Sequence, residues 1–391
     1  MRIQKTIVPR SQTPSRKPAR QTPDLPERPV GDSVDLSAVK TPSRSLLRSV
    51  ATEAAYWTRR VALNLAAPFA AILGVGLGSS PAGLTGADAL HEKGIDGTGT
   101  LVAVIDQAFS QFGAGQEDVL GVYQTRDKVF KPGLEKEKYL PGQEMATRRK
   151  PISTHGNAMS SIITGETAGL KGVAPGAKVI GVSVIDEQQR LQTELFVDAL
   201  EWVENNHRER NIKAVSASVN YKNPTAQQRE QVQQHVNNLK EQGVAVFVAA
   251  GNRGPGPDTV MFPADLDNVI SVGASTPGWA SGTWDDRVEK YSSRGGERKG
   301  PTILAPGGNV FTKDGHGGVD LTSGSSNSCP MVAGAYALLT QAYPSATYEQ
   351  KVGAITSTAQ PITGNRASEG HGVIDIPGSY RMLAALEAYP S

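Results

Sequence analysis

Five short β-branched runs constrain what this chain can fold into more than any other feature. They are "TLVAVID" (Thr100 to Asp106), "KVIGVSVID" (Lys178 to Asp186), "AVSASVN" (Ala214 to Asn220), "VAVFVAAGN" (Val244 to Asn252) and "NVISVGAS" (Asn268 to Ser275). Runs of this kind, bounded by Gly or Asn, fit strands buried on both faces. Two helical patterns lie among them: "TELFVDALEWVENNHRE" from Thr193, and "PTAQQREQVQQHVNNLKEQG" from Pro224. In the second, Val232, Val236 and Leu239 share one face, Pro224 suits the first turn, and Gly243 suits the end. Strand and helix in alternation predict an α/β fold, a three-layer αβα arrangement around a mostly parallel central sheet. Functional sites of such sheets gather at the carboxyl ends of the strands, where Asp106, Asn220 and Asn252 stand.

The chain has 391 residues, a formal charge of +2 and one cysteine, Cys329. An internal disulfide framework is therefore excluded, and the fold must rest on its core. Residues 1–45 are rich in Pro, Ser, Arg and Lys without apolar periodicity, which reads as a disordered basic arm. Arg10, Arg16, Lys17, Arg20 and Arg28 give it its charge. A solvated tail accounts for it, contact with nucleic acid or an acidic surface being the alternative, and no nucleic-acid partner is expected.

Residues 46–85 carry a signal-like or pro-segment pattern. Arg59 and Arg60 precede an apolar run from Val61 to Leu77, and Ser80-Pro81-Ala82 follows as a small-residue candidate cleavage site. The pattern starts far from Met1, and Pro68 and the glycines interrupt what a spanning helix of about 20 apolar residues would need. Export, a pro-region and simple packing all remain open, as does a cytoplasmic location, and no stable membrane span is expected. The domain expected to carry the chemistry runs over 86–391.

Acyl transfer to water needs a nucleophile, a base, an anion that orients the base, and donors for the developing oxyanion. Candidates for all four occur at meaningful places: Asp106 closing its strand, His155 opening "HGNAMSSIITG", Asn252 ending "VFVAAGN", and Ser326 in "SGSSNSCPMVAG" where a turn enters a helix. Each also has a structural reading by itself: a strand-end cap, a core histidine, a turn residue, and a helix-capping serine.

These residues carry a resemblance to the subtilisin family of serine peptidases across about Gly86 to Pro390. The family's serine motif, GTSMAAPHVAG, lies without a gap on Gly324-Ser325-Ser326-Asn327-Ser328-Cys329-Pro330-Met331-Val332-Ala333-Gly334. "HGN" at His155 keeps the catalytic histidine of HGTHVAG, and "AAGN" ends on Asn252. "FPADLDNVISVGAS", "KYSSRGG" and "ILAPGGNV" follow in the family's order. The chain order Asp, His, Ser is the one that defines this family. The resemblance implies Asp106, His155 and Ser326 as a catalytic triad, Asn252 as the side-chain oxyanion donor, and a serine endopeptidase working through an acyl-enzyme. Cys329 falls on an alanine position facing the helix packing. Gln107-Ala108, Asn157 and Met331 depart from the motifs, so a catalytically impaired relative that binds peptides is the alternative.

The resemblance further implies a protein or peptide substrate bound as an extended strand. Ser218, Val219 and Asn220 would line one side of the pocket for the residue before the cut, and Ala249, Ala250 and Gly251 the other. Asn220 stands where the family usually has Gly. Relatives often bind calcium in a loop after the histidine helix. Here only "ETAGLKG" is available, too short for the six or more oxygens calcium prefers. No cofactor or metal is expected, calcium elsewhere being left open.

Overall fold

A computed structural model of the chain describes residues 80–107, 109, 119–126, 128–132, 155–167, 170–186, 188, 190–276, 286–313 and 318–388. The chain divides into Met1–Glu53 and Ala54–Ser391, and everything described belongs to the second unit. The expected basic arm, and the signal-like pattern up to residue 79, lie outside the described residues.

The described elements begin with α1 (Pro81–Thr85), α2 (Asp88–His91), β1 (Leu101–Asp106), β2 (Val119–Gln124), β3 (Val129–Pro132) and α3 (His155–Thr164). Next come two-residue strands β4 (Glu166–Thr167) and β5 (Leu170–Lys171), then β6 (Lys178–Ser183), α4 (Thr193–Arg210), β7 (Ile212–Ala217), α5 (Ala226–Glu241) and β8 (Ala245–Ala249). The remainder is β9 (Ile270–Ser275), β10 (Ile303–Pro306), β11 (Val310–Lys313), β12 (Val319–Thr322), α6 (Ser325–Ala342), α7 (Tyr348–Ser357), α8 (Arg366–Glu369) and α9 (Ile376–Ala388).

The main sheet has eight strands in the order β10-β9-β8-β7-β1-β6-β2-β3. Every pairing in it is parallel except the antiparallel β2–β3 edge. From β6 the chain crosses β1 to reach β7 and then winds outward, so the direction of winding reverses around β1. Such a reversal opens a crevice at the carboxyl ends of the strands.

Side-chain alternation along the strands decides which layer each residue enters. Val102 and Val104 of β1 join the core shared with α3 and α6, while Leu101, Ala103 and Ile105 join the core under α4 and α5. Phe196, Leu200 and Val203 of α4, and Val232, Val236 and Leu239 of α5, are essentially unexposed. Each such side chain contributes about 1.5–3 kcal/mol when taken fully out of water. These two cores on either face of the sheet make the three layers. The packing reaches back to Ala82 of α1, fully buried and four residues before the expected domain start at Gly86.

One helix start differs from expectation. Thr225, not Pro224, governs the start of α5: its hydroxyl accepts from Gln228 N at 3.1 Å, and Gln228 Oε1 accepts from Thr225 N at 2.8 Å. That reciprocal box satisfies two orphan N–H groups, whereas a proline at the first position satisfies none. Gly243 follows the helix with φ +78°, as the sequence suggested. No helix among the described residues is long and apolar enough to cross a membrane.

Candidate active site

The alternation that builds the cores also aims the candidate residues. Asp106 continues the Val102, Val104 face of β1, toward α3 and α6. Ser216 and Ser218 continue the Ala214 face of β7 into the same layer. Sequence periodicity thus brings a carboxylate and a hydroxyl to one side of the sheet at adjacent strand ends.

Asp106 is fully buried. Its Oδ1 accepts from His155 Nδ1 at 2.6 Å and from Gln107 N at 2.6 Å, while Oδ2 has no hydrogen-bond partner among the described residues. Because an ionised carboxylate only accepts, the shared proton sits on Nδ1, and Nε2 presents its lone pair. His155, the first residue of α3, keeps 29% of its side chain open to solvent. Burial pushes the imidazole pKa down, but the charge and hydrogen bond of Asp106 push it up further, and the balance lies above the ordinary value. Gln107, standing where the family has a hydroxyl residue, is held through its carbonyl, which accepts from Ser183 Oγ at 3.3 Å.

The serine-rich stretch does not cap its own helix. Gly324 is the N-cap of α6, in extended backbone and without a side-chain cap bond. The serines bond outward instead. Ser325 N donates to Asn252 Oδ1 at 2.9 Å, Gly251 N donates to Ser325 Oγ at 3.1 Å, and Ser328 Oγ donates to Ala305 O at 2.9 Å. The Ser325 bond fixes the amide of the exposed Asn252, leaving Nδ2 as its donor end. Ser326 N, in the first turn of α6, has no hydrogen-bond partner among the described residues, and neither does Ser326 Oγ. The structure therefore joins Asp106 to His155 directly, while Ser326 is not hydrogen-bonded to the imidazole.

Pro330 explains a contact that sequence reasoning missed. A proline inside a helix has no N–H to give to the carbonyl four residues earlier, which here is Ser326 O. Ser218 Oγ fills that place, donating to Ser326 O at 2.9 Å. The end of β7 is thereby tied to the candidate nucleophile's own backbone. The signal was available in the spacing Ser326 to Pro330. Ser293, within "KYSSRGG", was also missed: its N donates to Gly251 O at 3.0 Å and its Oγ accepts from Arg253 N at 3.1 Å. Gly251 has φ +108°, and a Cβ there would lie 2.9 Å from Ser293 Oγ, so only glycine fits.

The expected pocket residues divide by direction. Val219 and Ala250 point into the α4/α5 core, and Ala249 into the α3/α6 core. Ser218 is committed to Ser326. Asn220 Nδ2 donates to Ala249 O at 2.8 Å, bridging the two segments. Cys329 is fully buried with its sulfur 3.5 Å from Ser216 Oγ, and burial pushes its thiol up to about 12. A thiol so placed supplies no thiolate at neutral pH. After α3 the chain makes only the short β4–β5 hairpin. Among the described residues no group of three or more His, Cys, Asp or Glu could hold a metal ion.

A family model described as the subtilase family matches residues 97–373. The chain belongs to the subtilase family. As a member it is a serine-type endopeptidase whose substrates are proteins or peptides. Subtilisin Savinase of Lederbergia lenta is 27% identical over 301 residues, covering 75% of this chain and 96% of that protein. Subtilisin E of Bacillus subtilis (strain 168) is 28% identical over 294 residues, covering 74% of this chain and 68% of that one. Among solved structures, fervidolysin from Fervidobacterium pennivorans, described as a keratinolytic enzyme related to subtilisin, superposes with a TM-score of 0.59 at 21% identity. That likeness covers 75% of this chain and 44% of fervidolysin, and it bears on the fold alone.

Proposed function

We propose that this subtilase hydrolyses peptide bonds with Ser326 as nucleophile, His155 as base and Asp106 as the group that orients and steadies the imidazole. The observation that carries the reading is the 2.6 Å contact between Asp106 Oδ1 and His155 Nδ1, which leaves Nε2 as the proton acceptor. In the first step Ser326 Oγ bonds to the scissile carbonyl carbon as its proton passes to Nε2. The C–N bond then breaks, the proton goes to the leaving amine, and an acyl-enzyme remains. Water attacks that ester, gives its proton to Nε2, and Ser326 recovers its own as the acid departs.

Two donors await the oxyanion: the unbonded N–H of Ser326, at the positive end of α6, and Asn252 Nδ2, whose orientation Ser325 N fixes. Neither needs to reorganise as charge develops. The substrate lies extended between 218–220 and 249–251, and the Asn220 amide crosses the pocket where relatives carry no side chain. This mechanism requires no metal.

A fluorophosphonate probe on the full chain tests the assignment. It is expected to label Ser326, located by peptide mass spectrometry, and to lose that label in His155→Ala. A wild-type chain that folds but takes no label at Ser326 overturns the reading in favour of a peptide-binding module.

A further inference from the structure

The opposite end of the sheet holds a second feature that the peptidase chemistry does not use. A cavity of about 760 Å³ opens there, between the segment leading into β1, the start of β7, the carboxyl-terminal half of α6 and the first turn of α7. Small-molecule sites commonly have this size. Lys351 lines it and is only 6% exposed, yet among the described residues its ammonium has no hydrogen-bond or ion-pair partner. Its described neighbour is the Tyr336 ring, with Nζ 5.7 Å from the centroid, and a ring face offsets only part of the cost of dehydrating a cation.

Three circumstances oppose the charge on Lys351. It is buried; it stands in the first turn of α7, the positive end of a helix; and Lys213, another lining residue without an ion pair, lies close enough to repel it. Burial first, and then Lys213, bring its pKa down to about 8. The same turn offers donors. Thr347 and Gln350 satisfy each other, but the N–H groups of Tyr348 and Glu349 have no hydrogen-bond partner among the described residues. Lys240, also lining, lies over the Tyr348 ring at 5.9 Å and donates to Asn268 Oδ1 at 2.9 Å. Glu241 and Glu349 line the cavity too, though neither is paired with these lysines.

Unpaired ammonium groups beside open helix-start N–H groups are a setting for an anion with several oxygens. We propose that this cavity binds a phosphate-bearing small molecule, its phosphate oxygens held between Lys213, Lys351 and the first-turn N–H groups of α7. The anion supplies the counter-charge that the protein itself withholds, and the remaining volume accepts an organic portion beside Tyr348.

Calorimetric titration of the full chain with inorganic pyrophosphate, at constant ionic strength, tests this. Saturable binding is expected, weakened tenfold or more by Lys351→Met and by Lys213→Met, and unchanged in Lys222→Gln on the opposite rim. Lys351→Met is also expected to melt higher than wild type without ligand, which separates loss of binding from loss of fold. Titration with a nucleoside diphosphate distinguishes the sources: tighter binding than pyrophosphate assigns the organic portion to the cavity, and equal binding assigns the site to the free anion. No saturable binding by either probe, unchanged affinity in Lys351→Met, or equal weakening in Lys222→Gln overturns the proposal.

Discussion

The two rims of the central sheet treat their polar groups in opposite ways. At the carboxyl ends of the strands, His155 is held by Asp106, Asn252 by Ser325, Ser218 by the carbonyl that Pro330 leaves open, and Gly251 by Ser293. At the amino ends, Lys213 and Lys351 share a cavity and have no ion-pair partner among the described residues. Groups fixed in advance can stabilise a transient charge without rearranging. Groups left uncompensated in a cavity are poised for a lasting partner. The difference teaches that one sheet can present a rim whose polar groups are held in advance and another whose charges are left uncompensated.

The sharpest way to break this comparison is Ser326→Ala. Peptidase activity is expected to fall by about 10⁶-fold, the scale established for subtilisin's nucleophile, with pyrophosphate binding at the far rim unchanged. Asn252→Ala comes next: kcat should drop by about 10²–10³-fold, again the scale known for this donor in subtilisin, with KM little altered in steady-state assays. A similar KM rise and kcat fall would mean the amide binds substrate and not the oxyanion.

The pH profile sharpens the carboxyl-end rim further. His155 must be neutral at Nε2 to accept a proton, and its pKa is raised, so kcat/KM should fall tenfold per pH unit below a midpoint above about 6.5. The same shift contributes stability that is complete below the unfolded imidazole's pKa and is lost as pH climbs through the folded one. A midpoint at or below the ordinary histidine value would contradict the Asp106 contact.

Smaller effects test the supports. Ser218→Ala leaves Ser326 O without a donor and should cost about 1–3 kcal/mol in denaturant unfolding. Pro330→Ala restores a helical N–H to that carbonyl, so the double variant should lose less than the sum of the two single ones. An additive cycle would show that the two residues do not share this acceptor. The smallest effect belongs to the other rim. With its folded pKa near 8, Lys351 lowers stability fully below that pH, and the penalty fades as pH rises toward about 10.5. Lys351→Met should raise the melting temperature by about 2–4 °C at neutral pH and by nothing above that window. Lys213, Lys240, Glu241, Glu349, Tyr336 and Tyr348 are the charged or titratable groups lining the cavity around it in such a scan.

The strands and the major helices were readable because their signals are local. β1, β6, β8 and β9 fall within four of the apolar runs, β7 starts two residues before the fifth, α5 falls within its helical pattern, and α4 extends one residue past its own. β10 and the β2–β3 edge were not anticipated as strands. Four residues of "ILAP" carry too little pattern to distinguish a strand from a turn, and an edge strand shows no two-sided apolar run. The serine stretch shows where local rules stop. Local rules favour capping serines, but Ser325 and Ser328 find their partners on Gly251 and Ala305, far away in the chain.

What the sequence determined alone was the alternation of strand and helix, the family motifs, and which residues stand at strand ends, since these depend on period and composition within a short window. What only the tertiary structure decided was pairing: that Asp106 meets His155, that Ser218 answers the carbonyl freed by Pro330, and that Lys351 and Lys213 share one cavity. Each of those contacts joins segments far apart in the chain. Their energies depend on burial and on distances of a few ångströms, and neither quantity exists until the layers have packed.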